Sequence, residues 1–430
     1  MSRVTVSSDH PVYRYLDKLA AYGLLKSRIK GQGPYTRSEI VALIREALDN
    51  YPSFEGRYRS SDVSLQQSPA RLMSKVYIDR IIRRLKQEFP ELEENSNSFL
   101  KFQALEKLNF SYNFLDQEPQ IIVSDNGLGS IDAEFQSFTQ HREGRRYQKG
   151  HNFSFETQHW VSVGDILGLQ VQPRFQMQVA RPPYEDETKA YLQRGSLHLS
   201  FHNLQLQLGR ESVQWGPAAW GGLMLSNHAR PLDHFLLSSD RPFRLPGSLK
   251  ALGYFKLSFL AANLGPEHEF PYAWLLGYRI SHTPTHYFEW GMSHLTQLGG
   301  QDAPEVNAGR FFRELFSWND SEKYANLSFS FDFRGNIPQW RHLELYTELH
   351  FEDIGPDFAT TFSKNASYLF GVYAPRLNNS GSWDGRLELM KTGARYGRHQ
   401  VFRDGMTLNQ KMLGASVGPD AWSLRLQFFH

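Results

Sequence analysis

The stretch "SLHLSFHNLQLQLGR", Ser196 to Arg210, decides the fold. Leu197, Leu199 and Phe201 hold alternate positions. After His202-Asn203, Leu204, Leu206 and Leu208 hold the opposite parity. Strand side chains alternate between two faces, so a parity change across a two-residue break keeps one continuous apolar face through a tight hairpin.

The same period of two runs through most of the chain after residue 100. Leu108, Phe110, Tyr112 and Phe114 alternate with Lys107, Asn109, Ser111 and Asn113. Leu167, Leu169, Val171, Phe175, Met177 and Val179 keep one parity. The pattern returns in "YFKLSFLA", "YAWLLGYRI", "NLSFSFDFR", "LELYTELHFE" and "WSLRLQFF", with turn-like breaks such as "GNIP" and "NNSGSWDG" between such runs. The runs amount to about sixteen to eighteen candidate strands, a number at home in large outer-membrane barrels and unusual for one soluble sandwich. The faces opposite the apolar ones carry Asp332, Arg334, Glu344, Glu348, His350 and Glu352. A transmembrane barrel turns apolar residues out to lipid and polar ones in to a lumen, and several runs reach the roughly 9–11 residues needed to span. Trp160, Tyr272, Trp290, Trp340, Trp383 and Trp422 fall near strand ends, where interfacial girdles sit. The fold class is therefore mainly β: an antiparallel outer-membrane barrel, with a soluble all-β domain as the rival.

Composition agrees. The 430 residues are 40% hydrophobic and 14% aromatic, and no apolar run approaches the ~18 residues of a spanning helix. The formal net charge of +2 gives no argument for nucleic acid, and the absence of cysteine excludes disulfides and thiolate metal sites. The opening "MSRVTVSSDHP" has no apolar signal core, so an outer-membrane address presumes a signal already cleaved.

Residues 1–100 read as a periplasmic helical domain and 101–430 as the barrel. "HPVYRYLDKLAAYGLL" places Val12, Tyr15, Leu16, Leu19 and Ala20 on one helix face and stops at Gly23. "YTRSEIVALIREALDNY" opens with a capping box in which Thr36 caps and Glu39 reaches back. A third helix, ended by Pro90, lines up Met73, Tyr77, Ile81 and Leu85; its Lys75, Arg80, Arg83, Arg84 and Lys86 read as a solvated face rather than a nucleic-acid patch.

After the hairpin comes "QWGPAAWGGLMLSNHARP", Gln214 to Pro231, which is too rich in glycine for a helix and too irregular for a strand. In a barrel such a segment folds inwards to line the lumen. Tryptophan offers a flat apolar face with one N–H, which suits the C–H face of a sugar ring; the rival reading is a packed plug. The block Leu208–Gly247, "LGRESVQWGPAAWGGLMLSNHARPLDHFLLSSDRPFRLPG", resembles the signature of the Wzi-type capsule-assembly outer-membrane proteins. The runs "KLNFSYNF", "SDNGLG", "KGHNFSFETQHWVSV" and "QVFRDGMTLNQKMLGASVGPDAWSLRLQFF" extend the likeness over about Leu108 to Phe429. The resemblance implies an eighteen-strand barrel with a small periplasmic helical bundle. It implies a lectin-like role in attaching or organising capsular polysaccharide, with no catalysis and no cofactor. The carried-over positions are Trp215, Gly216, Pro217, Asn227, Pro231 and Arg241. The chain stops soon after "GPDAW", so either barrel closure uses different segments or the strand count differs from the one read here. The helical start is similar to a single S-layer-homology unit, which suggests a periplasmic or cell-wall contact.

Trp215, Trp220, Asn227, Arg230 and Arg241 are thus the candidate polysaccharide-binding residues, with capsular or other surface polysaccharide and outer-membrane lipid as partners. A porin-like channel, or a barrel component of a larger envelope complex, is the alternative. His282, His286 and Glu289 have zinc-like spacing but fall in a hairpin turn, and "SDNGLG" reads as an Asn126-Gly127 turn rather than a calcium loop; no metal is expected. No G-x-S-x-G element occurs.

Overall fold

The computed structural model describes every residue except 1, 60–68, 93–98, 128, 183, 317–324, 353–361 and 363–365. Three helices come first: α1 (Val12–Ala21), α2 (Arg37–Arg59) and α3 (Pro69–Glu88). Gly23 takes a φ of +75° just past α1, and the Leu24 N–H donates back to the Leu19 carbonyl at 2.9 Å, so the helix stops where its sequence says it should. Val12, Leu16, Leu19, Ile40, Ile44, Ile78, Ile81 and Leu85 form the shared core. Met73, the first residue of the expected α3 stripe, lies outside the described side chains. The capping box forms by half. Thr36 Oγ1 accepts the Glu39 N–H at 3.2 Å, but the Glu39 carboxylate leaves the helix for Lys256 Nζ, at 2.7 and 2.9 Å. A full cation is a stronger partner for a buried carboxylate than one backbone N–H.

The wall is one antiparallel sheet of fourteen strands, each paired to the next in chain order. They are β1 (Leu100–Leu115), β2 (Gly150–Val163), β3 (Leu167–Ala180), β4 (Glu187–Phe201), β5 (Leu204–Glu211), β6 (Leu232–Ser239) and β7 (Tyr254–Asn263). They continue as β8 (Trp274–Thr285), β9 (Phe288–Leu298), β10 (Ala325–Ile337), β11 (Leu343–Glu352), β12 (Ala366–Ala374), β13 (Asp384–Lys391) and β14 (Trp422–Phe429). The β4–β5 hairpin pairs Leu197 with Leu208, Leu199 with Leu206 and Phe201 with Leu204. The apolar files face out: Phe110 is 68% exposed and Leu424 68%, whereas inward Gln170 and Glu348 are wholly buried. That polarity is the reverse of a soluble core, as a lipid-facing wall requires.

Among the described residues fewer strands form the wall than the expected sixteen to eighteen. Three further ladders lie off it: Gln120–Asp125 with Ser130–Phe135, Thr407–Leu408 with Lys411–Met412, and Gln32–Gly33 with Gln214–Trp215. Period-two alternation marks any pleated pair, so it cannot separate a wall strand from a loop ladder. Among the described residues β1 and β14 do not pair with each other. The N-terminal segment stands between them: Asp9 reaches Lys107 on β1, while Arg14 holds Asp384 at 2.8 Å and covers the Phe429 ring of β14.

The two ends of the wall differ. Connections at the helix end are mostly short, such as His202-Asn203 and His286-Tyr287, and this is where α1 to α3 dock. Connections at the other end are long, including 116–149, 212–231 and 392–421. This is the usual asymmetry of outer-membrane barrels, with turns on the periplasmic side and loops outside. No helix among the described residues is long and apolar enough to cross a membrane.

Candidate functional site

The lumen is filled from both ends. From the helix end, residues 3–39 enter on charge. Asp17 meets Arg28 at 2.8 Å and Arg386 at 2.7 Å; Lys30 meets Glu344 at 2.8 Å, and Arg334 bridges Glu344 and Glu289, each at 3.0 Å. The Gly31 N–H donates to Glu289 Oε1 at 2.8 Å. Burial alone would raise the Asp17 carboxyl, but Lys30, Arg28 and Arg386 more than offset it and hold the group well below the usual carboxylate range.

From the loop end, the Gly/Trp segment folds down to meet this plug. Trp215 pairs with Gln32, donates its N–H to the Leu225 carbonyl at 3.1 Å and packs among Val213, Leu225, Leu275 and Leu295. The glycines around it make room for the wall. A Cβ on Gly216, whose φ is +117°, would stand 2.8 Å from Glu348 Oε2, and one on Gly222 would stand 3.0 Å from the same oxygen. That oxygen accepts the Leu223 N–H at 3.0 Å. The glycines therefore let a peptide chain lie against a wall carboxylate, and one tryptophan fills the space beside it. Residues 392–421 cover the segment from above: Tyr396 Oη donates to the Leu223 carbonyl at 2.6 Å, and the Ser226 N–H donates to the Leu413 carbonyl at 2.8 Å.

The five candidate residues fall in four places. Trp215 is 2% exposed and is a core residue. Trp220 is 43% exposed beside an inner cavity of about 460 Å³ that also touches Arg14, Arg386 and Gln427, with the Arg425 guanidinium 5.4 Å over its ring. Asn227 lies in the packed loops, where its backbone carbonyl accepts the Glu143 N–H at 2.8 Å. Next to it the His141 N–H donates to His228 Nδ1 at 3.2 Å. Burial, with Lys411 and Arg425 nearby, pushes the His228 imidazole down to about 3. Arg230 lies at the loop end. Arg241 lies at the helix end, where its N–H donates to Asn203 Oδ1 at 3.0 Å. The structure does not bring Arg241 near the other four.

Arg230 lines a second cavity, of about 490 Å³, at the mouth of the loop end. Tyr184, Tyr191, Gln176, Gln178 and Arg146 line it too. Tyr191 Oη donates to Gln176 Oε1 at 3.2 Å, and the Gln176 amide donates to the Arg146 carbonyl at 2.8 Å. Arg230 is braced by Asp233 at 3.0 Å and Asn409 Oδ1 at 3.2 Å. Aromatic faces beside amides and guanidinium groups can stack on a ring and bind its hydroxyls together. The sequence reading missed these residues. The one available signal was the inward file Gln170, Gln172, Gln176 and Gln178 on β3, which is also how any wet barrel face looks.

Other chemistry finds little support. His282 faces outward and accepts from Trp290 Nε1 at 2.9 Å, whereas Glu289 faces inward, and no metal-type cluster exists among the described residues. Ser196 Oγ lies 3.0 Å from His198 Nε2, but the Gln205 amide donates to Nδ1 at 3.1 Å. That places the imidazole proton on Nε2, so this nitrogen cannot take one from the serine.

The comparisons with known proteins agree with this architecture. The family model described as capsule assembly protein Wzi matches residues 130–430. A Klebsiella pneumoniae protein described as an uncharacterized 55.8 kDa protein in the cps region is 26% identical over 141 residues, which is 32% of this chain and 28% of that relative. The solved structure of Escherichia coli Wzi, described as an outer membrane protein involved in group 1 capsule assembly and a carbohydrate-binding β-barrel, shares the fold. It aligns with a TM-score of 0.66 at 16% identity, over 100% of this chain and 81% of that one. The family match covers more than half of the sequence, and the chain belongs to the Wzi capsule-assembly family.

Proposed function

We propose, from membership of that family, that this protein sits in the bacterial outer membrane and binds long-chain capsular or surface polysaccharide at its loop end, anchoring or organising it without chemical turnover. The observation that carries the reading is the mouth cavity, where Tyr184, Tyr191, Gln176, Gln178, Arg146 and Arg230 stand above a lumen already filled by protein. Sugar rings stack on Tyr184 or Tyr191. Their hydroxyls or carboxylates pair with Gln178, Arg146 and Arg230. Trp215 and Asn227 support the floor of this site, and Trp220 lines the cavity beneath. Arg241 belongs to the opposite end. The Escherichia coli Wzi structure, described as a carbohydrate-binding β-barrel, supports the ligand class. The filled lumen favours a binding role over a conducting one. Residues 1–100 act as a periplasmic unit whose exposed helix faces are available to an envelope or cell-wall partner.

Glycan binding by the purified protein tests this. Arg230→Ala with Tyr191→Ala is expected to weaken binding of the native capsule by about tenfold or more, as loss of one charged hydrogen bond and one stacked ring implies. Trp220→Ala is expected to leave it within about twofold. Equal binding by the mouth variant and wild type would end the assignment.

A further inference from the structure

One part of the lipid-facing wall is covered. On β8 to β10 the outward file contains Leu276, Leu298, Leu327 and Phe329, which are buried to within 3% exposure, while equivalent residues elsewhere, such as Leu169 and Leu257, are 42% exposed. The cover is a fourth helix, α4 (Ala308–Phe316), in the loop-end connection between β9 and β10. Its Leu315 and Phe311 pack on those wall residues. The wall beneath it is unusual because the outward file of β9 is broken by two polar residues, His294 and Thr296, both wholly buried. Thr296 Oγ1 donates to the Glu314 carbonyl of α4 at 3.2 Å, and His294 stacks on Phe329 at 4.4 Å. In hydrocarbon an unsatisfied polar group costs several kcal/mol, so a helix that gives Thr296 a partner, and through it His294 Nε2 at 3.2 Å, belongs to the membrane-facing structure. α4 turns Phe312 and Phe316, one helical turn apart and each 62% exposed, away from the wall. An amphipathic helix of this kind lies in the plane of the lipid interface.

Between α4 and the wall runs a groove of about 560 Å³, lined by Ala261, Trp274, Leu276, Leu298, Val306 and Phe311. We propose that this groove binds an acyl chain of an outer-leaflet membrane lipid, clamped between α4 and the wall at the height of the loop-end aromatic girdle. Three observations favour this occupant. The lining is mostly apolar, with Glu305 and the Gly299-Gly300 backbone as its polar part. The groove is continuous with the lipid-facing belt, so a chain enters from the membrane without crossing a polar zone. Trp274, 47% exposed at its edge, is an interfacial residue type in an interfacial position. The inference rests on the outer-membrane location and is independent of the polysaccharide reading.

The test is native mass spectrometry of the full chain released directly from phospholipid vesicles, which counts lipid held by each barrel. Wild type is expected to retain one lipid. Ala261→Phe, which fills the groove from the wall, is expected to retain about tenfold less. Ala303, in the connection after β9, also lines the groove; Ala303→Trp fills it from the loop and keeps the test valid if Ala261→Phe misfolds. Folding is checked for each by heat-modifiable gel migration. Retention of the same lipid by both filled variants, or none by wild type, would overturn the proposal. Quenching of Trp422, on the far wall, by brominated acyl chains separates the two premises: no quenching there would mean the membrane location itself has failed.

Discussion

The two ends of the barrel are closed by different physics. At the helix end the closure is ionic: Asp17, Arg28, Lys30, Arg334, Glu344 and Arg386 interlock inside the wall. At the loop end packing and neutral hydrogen bonds around Trp215, His141, His228 and Tyr396 lead the closure, with isolated ion pairs such as Lys411 with Glu134 at 2.9 Å beside them, and the open polar cavity lies above it. Buried charges hold position strongly only while every partner is present, because one removed group strands the others. Packed loops tolerate local change and leave a surface free to vary with a ligand. The contrast suggests that the helix end is built to stay shut and the loop end to present a shape.

Breaking the ionic end should have the largest effect. Asp17→Ala leaves Arg28 and Arg386 buried beside no carboxylate of their own, and a change of this kind costs about 3–5 kcal/mol. Guanidinium unfolding in micelles should show the loss. Planar-bilayer recordings should show the second consequence: wild type stays closed, and Asp17→Ala gives intermittent current as residues 3–39 loosen. Unchanged stability with a silent membrane would mean that the network contributes little. Large steady currents from wild type would revive the channel reading.

Next in size is the tryptophan pair, which sharpens the comparison at the loop end. Trp215→Ala empties a core position and is expected to cost about 3–4 kcal/mol, whereas Trp220→Ala, half-exposed and lightly packed, should cost under ~1 kcal/mol. The same unfolding measurement separates them, and equal losses would contradict the division of roles. The sequence does not show this difference. Both rings sit in one Gly-rich block, but the burial of Trp215 depends on pairing with Gln32, which a local motif cannot reveal. Glu39 carries the same lesson: its capping pattern is local, and its real partner, Lys256, lies 217 residues away. By contrast the outward and inward faces were legible residue by residue, because a period of two leaves a strand only two choices. The hairpin at His202-Asn203 followed directly. Arg241 was grouped with Trp215 by sequence neighbourhood, but one wall strand, β6, carries the chain from one end of the barrel to the other between them. The mouth glutamines were visible as a file but indistinguishable from the ordinary wet lining of a barrel.

The smallest effect separates the ends by pH. His228 Nδ1 accepts the His141 N–H, so His228 must be neutral in the folded loops. Its folded pKa, about 3, lies below the ordinary histidine value of about 6.5, and the His141 imidazole is likewise held well below it by burial, Arg425 and His228. A histidine kept neutral on folding binds fewer protons than it does unfolded. Stability is therefore complete above pH ~6.5 and falls as pH drops below that, by at most about 1.4 kcal/mol per imidazole for each pH unit. Asp17 acts in a lower window. Its folded pKa is depressed, so its contribution is complete above the unfolded value of about 3.9 and is lost only as pH falls below it. Acid should accordingly loosen the loop end first. Hydrogen exchange at pH 7 and pH 5.5 should show faster exchange in 137–148 and 213–231 at the lower pH, with residues 12–36 unchanged. His228→Gln should remove about half of that pH dependence, and His228→Gln with His141→Gln most of it. If the helix end opened first, or both together, the closures would not be the separate devices that their chemistry makes them.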